Sequence, residues 1–393
     1  MKTQFLKRVI QVAELCPKLP NKINLRFEPR LSNTPTKSTF FAPANSIFPM
    51  QKKSKRPILA YILFALLLLC AVFYIIQPYL NKKPAPAIPP PIAAPKANIP
   101  QIAVPDFNSD SAFLFIKKQV DFGPRVPNTP AHKKCAAWLV SEFKRYGFTV
   151  IEQKVQAPYY KGGTFNGVNI IAQYKPEAQK RICIAAHWDS RNEADKDIKD
   201  TNKAIDGADD GASGVGILLE LARTLKNHPV DIGVDLICFD LEDNGDDDGA
   251  PETWCLGSQH WAKNLHRPNY SPYYAILLDL VGAKGARFYK EGISREVAPQ
   301  TVEKVWNKAQ SLGYSEYFIN EDRPGITDDH LFVIRGAQIP MIDIISMPNH
   351  GKSPFGDHHH THADNINIID KNVLKAVGQT VIAVIFETHN GVM

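Results

Sequence analysis

Residues 232–243, IGVDLICFDLED, run through apolar side chains with one acid inside, Asp235, and then reach three acids in four positions, Asp240, Glu242 and Asp243. A near-continuous apolar run of strand length suits a strand covered on both faces, as in a parallel sheet; a strand with one wet face would alternate. NGVNIIAQYK (166–175), RICIAAHWDS (181–190), YYAILLDLVGA (273–283) and QIPMIDIIS (338–346) read the same way, and FTVIEQKV (148–155) alternates. Between them, SAFLFIKKQVDFG (111–123), TPAHKKCAAWLVSEFKRYG (129–147), GASGVGILLELARTLKNH (211–228), GSQHWAKNLH (257–266) and DKNVLKAVGQTVIAVIFETH (370–389) carry helical patterns. The second has a Thr cap, Pro in its first turn and Gly at its end. The expected fold is α/β: a mostly parallel central sheet with helices on both faces, its functional site beyond the carboxyl ends of the strands.

Charge divides the chain. Residues 1–104 hold 15 Lys and Arg against 2 Asp and Glu, and the remainder 31 against 38, so the basic character belongs to the N-terminal segment. With no basic patch interleaved with aromatics after residue 104, a nucleic-acid partner is not expected. PILAYILFALLLLCAVFYII (57–76) is about twenty apolar residues without a charge, enough to cross a bilayer. Lys52, Lys53, Lys55 and Arg56 precede it, and only Lys82 and Lys83 follow closely, which orients the N-terminus to the cytoplasm. A cleaved signal peptide is the competing reading, but its apolar region would be shorter. The expected organisation is a disordered basic cytoplasmic tail (1–56), a transmembrane anchor in the lipid bilayer (57–78), a Pro/Ala-rich linker (79–104) and an extracytoplasmic catalytic domain (105–393), periplasmic if the source is bacterial. Met50 would also serve as a start, so residues 1–49 need not belong to the mature protein.

Three strands end in chemistry: His187 and Asp189, then Asp240, Glu242 and Asp243, then Asp279. Asp209 and Asp210 stand just before a helix and, taken alone, read as caps. Carboxylates gathered on one rim would repel one another unless a divalent cation joined them, and a His/carboxylate set suits zinc. Residues 355–365, FGDHHHTHADN, hold four of the 12 histidines within five positions. Cys183 and Cys238 fall in apolar strands and read as buried thiols. No C-x-x-C pair exists, so cysteine-ligated zinc is not expected. Trp188 and Trp254 are candidates to line a substrate pocket or to fill the core.

The order H-x-D-S, G-A-D-D-G-A-S-G, F-D-x-E-D, L-L-D-L-x-G, D-D-H, H-T-x-x-D-N, spread over residues 110–390, resembles the zinc-dependent M28 aminopeptidase superfamily, and within it the glutaminyl-peptide cyclotransferases. The resemblance implies Asp210, Asp243 and His360 as zinc ligands, with Asp243 where Glu is more usual. It implies Glu242 as the general acid/base, and Asp279 and Asp328 as acidic partners of the reacting amine and of Glu242. His187 stands where two-metal peptidases bind a second zinc and where cyclases keep a histidine that is not a ligand. His359 replaces a usual aromatic and is expected in the substrate pocket; His358 and His362 are expected to be solvated.

Two enzymes share these residues. A cyclase, with one zinc, converts an N-terminal glutamine of a peptide or protein to pyroglutamate with loss of ammonia. An aminopeptidase, with two, hydrolyses the first peptide bond, Glu242 activating the water. Asp328 and its surroundings favour the cyclase. A membrane-tethered metal-binding domain without turnover is a third reading, and the presence of Glu242 speaks against it.

Overall fold

The computed structural model of the chain describes residues 66–70, 72–74, 77, 101–348, 351 and 353–392. Two units divide the chain, Met1–Ile92 and Ala93–Met393. Most of the expected tail, anchor and linker lies outside the described residues. Residues 66–70, 72–74 and 77 are helical and exposed. No helix among the described residues is long and apolar enough to cross a membrane, so the expected span finds no support there.

The second unit begins with α1 (Ser109–Val120) and α2 (Pro130–Arg145). The Thr129 hydroxyl accepts from the His132 amide and Pro130 occupies the first turn, as the sequence predicts. Then come β1 (Thr149–Pro158), β2 (Thr164–Tyr174), β3 (Arg181–His187), α3 (Ala212–Asn227), β4 (Gly233–Phe239), α4 (Leu256–Lys263) and β5 (Ala275–Asp279). The chain closes with β6 (Phe288–Lys290), α5 (Gly292–Val297), α6 (Pro299–Ser311), β7 (Phe318–Asp322), α7 (Asp329–Ala337), β8 (Met341–Ile345) and α8 (Lys371–His389). Residues 284–337, for which no element is expected from the sequence, hold β6, β7 and the helices α5 to α7.

The central sheet has the order β1-β2-β4-β3-β5-β8. Its four strands β4, β3, β5 and β8 are parallel, while β1 and β2 form a hairpin joined antiparallel to β4. The sheet is therefore mixed, with a parallel half and an antiparallel edge. The face on which each side chain is buried alternates with the pleat. Ile182, Ile184, Ala186, Leu236, Cys238, Ile276 and Leu278 join one apolar cluster with α1, α2, α3 and α8. Cys183, Ala185, Ile237, Phe239, Ala275 and Leu277 join a second, which includes Trp261 of α4 and Val333 of α7. Both faces are dry, so each strand reads as a continuous apolar run. Cys135, Cys183, Cys238 and Cys255 are buried free thiols.

Candidate active site

The parallel strands β3, β4 and β5 all end at the same edge, where the chain leaves them at His187, Asp240 and Asp279. Four non-glycine residues at this edge or facing it take left-handed backbone angles: Leu241 (φ 59°), Cys255 (φ 55°), Leu280 (φ 50°) and His360 (φ 58°). Such conformations are uncommon for these residue types and mark a place where the surroundings over-determine the backbone.

Asp209 and Asp210 do not cap α3, contrary to the expectation from their position. Its N-cap is Gly211, with no side-chain cap bond. At φ 87°, Gly211 could not carry a Cβ, which would lie 2.8 Å from the Asp189 carbonyl and 2.9 Å from the His187 ring. This close approach turns Asp210 toward the strand ends. Asp364 holds the loop from the other side, its Oδ1 accepting from the Asp209 amide (2.7 Å) and its Oδ2 from the Asp210 amide (3.1 Å). Asp189 does the same beyond β4, accepting from the amides of Glu242 (3.0 Å) and Asp243 (3.4 Å). The sequence reading gave neither Asp189 nor Asp364 a role, although both stood inside its motifs; both are braces.

A cavity of about 300 Å³ opens here. Asp210, Glu242, Asp243, Asp279, Asp328, Trp254, His359 and His360 line it, together with Lys196. Of the expected site residues, His187 and Trp188 are not in the lining. His187 lies beneath it, with Nε2 3.0 Å from Asp210 Oδ1 and 3.2 Å from Asp279 Oδ1. Trp188 is core: it is fully buried, stacks on His132 at 4.3 Å and donates to the Val168 carbonyl. Its strand-end position put it near the site, but the pleat turns it the other way.

His360 Nε2 lies 3.1 Å from Asp243 Oδ1 and 3.8 Å from Asp210 Oδ2. Both Asp243 oxygens and Asp210 Oδ2 are buried without a hydrogen-bond partner. Left so, each oxygen would lose its hydration with no return. Ligands about 2.0–2.2 Å from a tetrahedral zinc are themselves about 3.3–3.6 Å apart, so the 3.1 and 3.8 Å spacings suit a shared cation. The residues present fit zinc. A second group, His187, Asp210 and Asp279, also brings ligand atoms within 4.8 Å of one another, as does Asp210 with His359 and His360.

The electrostatics agree. Burial, and then the Asp210 charge, raise Asp243 well above the usual carboxylate range. Burial likewise raises Glu242, with Asp243, Asp328 and Asp329 adding to it and His187 opposing. Burial pushes Asp279 up to about 7. Asp210 is buried too, but its hydrogen bond and charge contact with His187 hold it at about 2. Burial keeps His359 and His360 well below the ordinary imidazole value, hence neutral, as a zinc-binding imidazole must be. A cation would relieve this crowding of acids.

The histidine cluster divides differently from the expectation. His358 is not solvated: its Nε2 meets Asp209 Oδ2 at 2.9 Å, while Asp209 Oδ1 accepts from the Gly282 and Ala283 amides. Burial lowers the His358 pKa, but the Asp209 bond overrides this and lifts it to about 8. His362 meets only backbone through its ring, the Asp200 carbonyl at 3.2 Å. Trp254 stacks parallel to His360 at 5.9 Å and has the Arg191 guanidinium over its ring at 4.9 Å, and Arg191 also donates to the Asp243 carbonyl. Arg191 and Cys255, whose thiol lies 3.2 Å from Glu242 Oε1, are further site residues that the sequence reading missed.

The peptidase family M28 model matches residues 169–385. The chain belongs to peptidase family M28. A zinc-dependent exopeptidase of Parabacteroides distasonis is similar at 50% identity and TM-score 0.71, over 72% of this chain and 99% of that one. A glutaminyl cyclase of Tannerella forsythia is similar at 49% identity and TM-score 0.70, over the same shares. The alkaline phosphatase isozyme conversion protein of Escherichia coli is 24% identical over 222 residues, 53% of this chain, and the chain spans 61% of that protein's length. The fold of the family is the mixed α/β sheet with helices on both sides seen here.

Proposed function

We propose that the chain is a zinc-dependent glutaminyl-peptide cyclotransferase, an enzyme that converts N-terminal glutamine of peptides or proteins to pyroglutamate and releases ammonia. The observation that carries this reading is the 49% identity to a solved glutaminyl cyclase over 99% of that chain. The cavity supports it, being open to the surface on one side, lined by acids and of a size for one residue.

Asp210, Asp243 and His360 would hold the zinc, which when bound supplies a Lewis acid for the side-chain amide carbonyl of glutamine. Asp279 and Asp328 face the same cavity and accept hydrogen bonds from the neutral α-amine of the substrate, whose lone pair is then free to attack. Glu242, whose pKa burial raises well above the usual carboxylate range and so toward a better base, takes a proton from that amine as its nitrogen attacks the side-chain amide carbon. The new C–N bond closes the ring, the old one breaks, and Glu242 returns the proton to the departing ammonia. The Asp189 brace keeps Glu242 and its neighbour Asp243 turned apart, one toward substrate and one toward metal.

A second reading, the aminopeptidase, is favoured by one observation: His187, Asp210 and Asp279 form a group able to hold a second metal. A peptide with N-terminal glutamine and one with N-terminal leucine separate the two. Loss of one ammonia from the first with the second intact is expected; free leucine and two zinc ions per chain would overturn the cyclase.

We further propose that this activity lies outside the cytoplasm, with residues 57–78 in the bilayer and 79–104 as tether. Support comes from the uncharged apolar run, its basic leading flank and the exposed Leu66, Leu67, Leu69 and Phe73. A reporter fused after residue 100 should be active only in the extracytoplasmic space.

A further inference from the structure

His359 is a neighbour of the metal-site residue His360 and has two nitrogens that chemistry could use. Its Nδ1 lies 3.2 Å from Lys196 Nζ. An ammonium has three donors and no acceptor, so the imidazole nitrogen facing it must accept. In a neutral ring the proton then sits on Nε2. Nε2 stands 3.9 Å from Asp210 Oδ2, beyond hydrogen-bond range, and the residue lines the cavity. The ring is clamped between Phe355 (4.9 Å) and His360 (3.7 Å, 20° between planes), so it cannot turn freely. Lys196 is itself steadied by Asp247 at 3.7 Å.

We propose that His359 is a substrate-positioning hydrogen-bond donor whose tautomer is fixed by Lys196, and not a zinc ligand. Its Nε2–H is directed into the cavity, where it donates to a carbonyl oxygen of the bound N-terminal residue. This rests on the cavity being the substrate site and adds to it the role of Lys196, a residue outside the metal and proton-transfer set. A donor that bound substrate covers also sharpens selection, because a substrate without the matching acceptor leaves it unpaired.

The test uses the purified full chain as wild type, His359→Phe, Lys196→Met and the double variant, with zinc per chain and steady-state constants on a glutaminyl dipeptide. His359→Phe keeps the clamped aromatic shape and should keep wild-type zinc, raise KM about tenfold and change kcat less than threefold, one hydrogen bond being lost. Lys196→Met should raise KM in the same direction, and the double variant should lose no more than His359→Phe, since the lysine acts through the imidazole. Loss of zinc in His359→Phe would make it a ligand and overturn the proposal. An unchanged KM, or fully additive losses in the double variant, would overturn it as well. Should the wild type cleave a leucyl dipeptide and ignore the glutaminyl one, the cyclase reading fails while the same KM comparison on the leucyl substrate still tests the donor.

Discussion

The thiol of Cys255 lies 3.2 Å from Oε1 of Glu242, while the Cys255 amide donates to the Glu242 carbonyl at 3.0 Å. The pair staples the loop between β4 and α4, and it touches the one carboxylate read as the proton carrier. Cys255 takes a left-handed backbone angle (φ 55°) at the N-cap of α4, which aims its side chain back at the strand end. Cys255→Ser, with a stronger donor of similar shape, should keep at least half the wild-type kcat. Cys255→Ala should lower kcat about three- to tenfold with zinc content unchanged, the scale of one weak hydrogen bond. Equal kcat in the alanine and serine variants would show that the thiol has no part in holding Glu242.

Glu242→Gln should leave zinc per chain at the wild-type level and reduce kcat about 10²–10⁴-fold, since the proton carrier is removed while Asp210, Asp243 and His360 remain. Zinc loss in this variant would mean that Glu242 ligates the metal.

Three of the four neighbouring histidines should separate into three outcomes. His360→Ala should lose zinc and activity together. His358→Ala should keep the metal but lower the unfolding midpoint, leaving the buried Asp209 carboxylate, which ties to Gly282 and Ala283, without its partner; the cost is on the order of 2 kcal/mol. His362→Ala should change neither. Metal analysis and thermal denaturation of the three variants check this, and zinc loss on His362→Ala would refute the assignment of His360.

Acid stability should depend on Glu291, which caps α5, accepting from the amides of Ile293 and Ser294, and pairs with His330 at 3.2 Å. Burial raises its pKa, but the His330 bond and these donors hold it at about 2 against 4.5. A depressed folded pKa means that the unfolded chain binds more protons between those values. The contribution, on the order of 3 kcal/mol, is full above pH 4.5 and lost as pH falls toward 2. Glu291→Gln should therefore be less stable than wild type at pH 7 and approach it near pH 2 in denaturant titrations. A pH-independent difference would contradict the ion pairing.

The sequence by itself determined the layered α/β fold. The apolar runs at 181–187, 233–239 and 275–279 became neighbouring parallel strands because dry faces on both sides leave no other use for such residues. It also determined which residues gather, since acids and histidines at the ends of parallel strands share one edge whatever the loops do. Asp210, Glu242, Asp243, Asp279, Asp328, His359 and His360 all line one cavity. Tertiary structure alone decided the direction of each side chain. Trp188 and Asp189 leave the same strand end, yet one turns into the core beside His132 and the other braces Glu242 and Asp243. His358 was indistinguishable from its neighbours in the row until Asp209, 149 positions earlier, came within 2.9 Å of it. Periodicity and motif order record which residues are near in the chain and which faces are dry. A hydrogen bond between distant residues is set by the packing that joins them, and packing belongs to no single stretch of sequence.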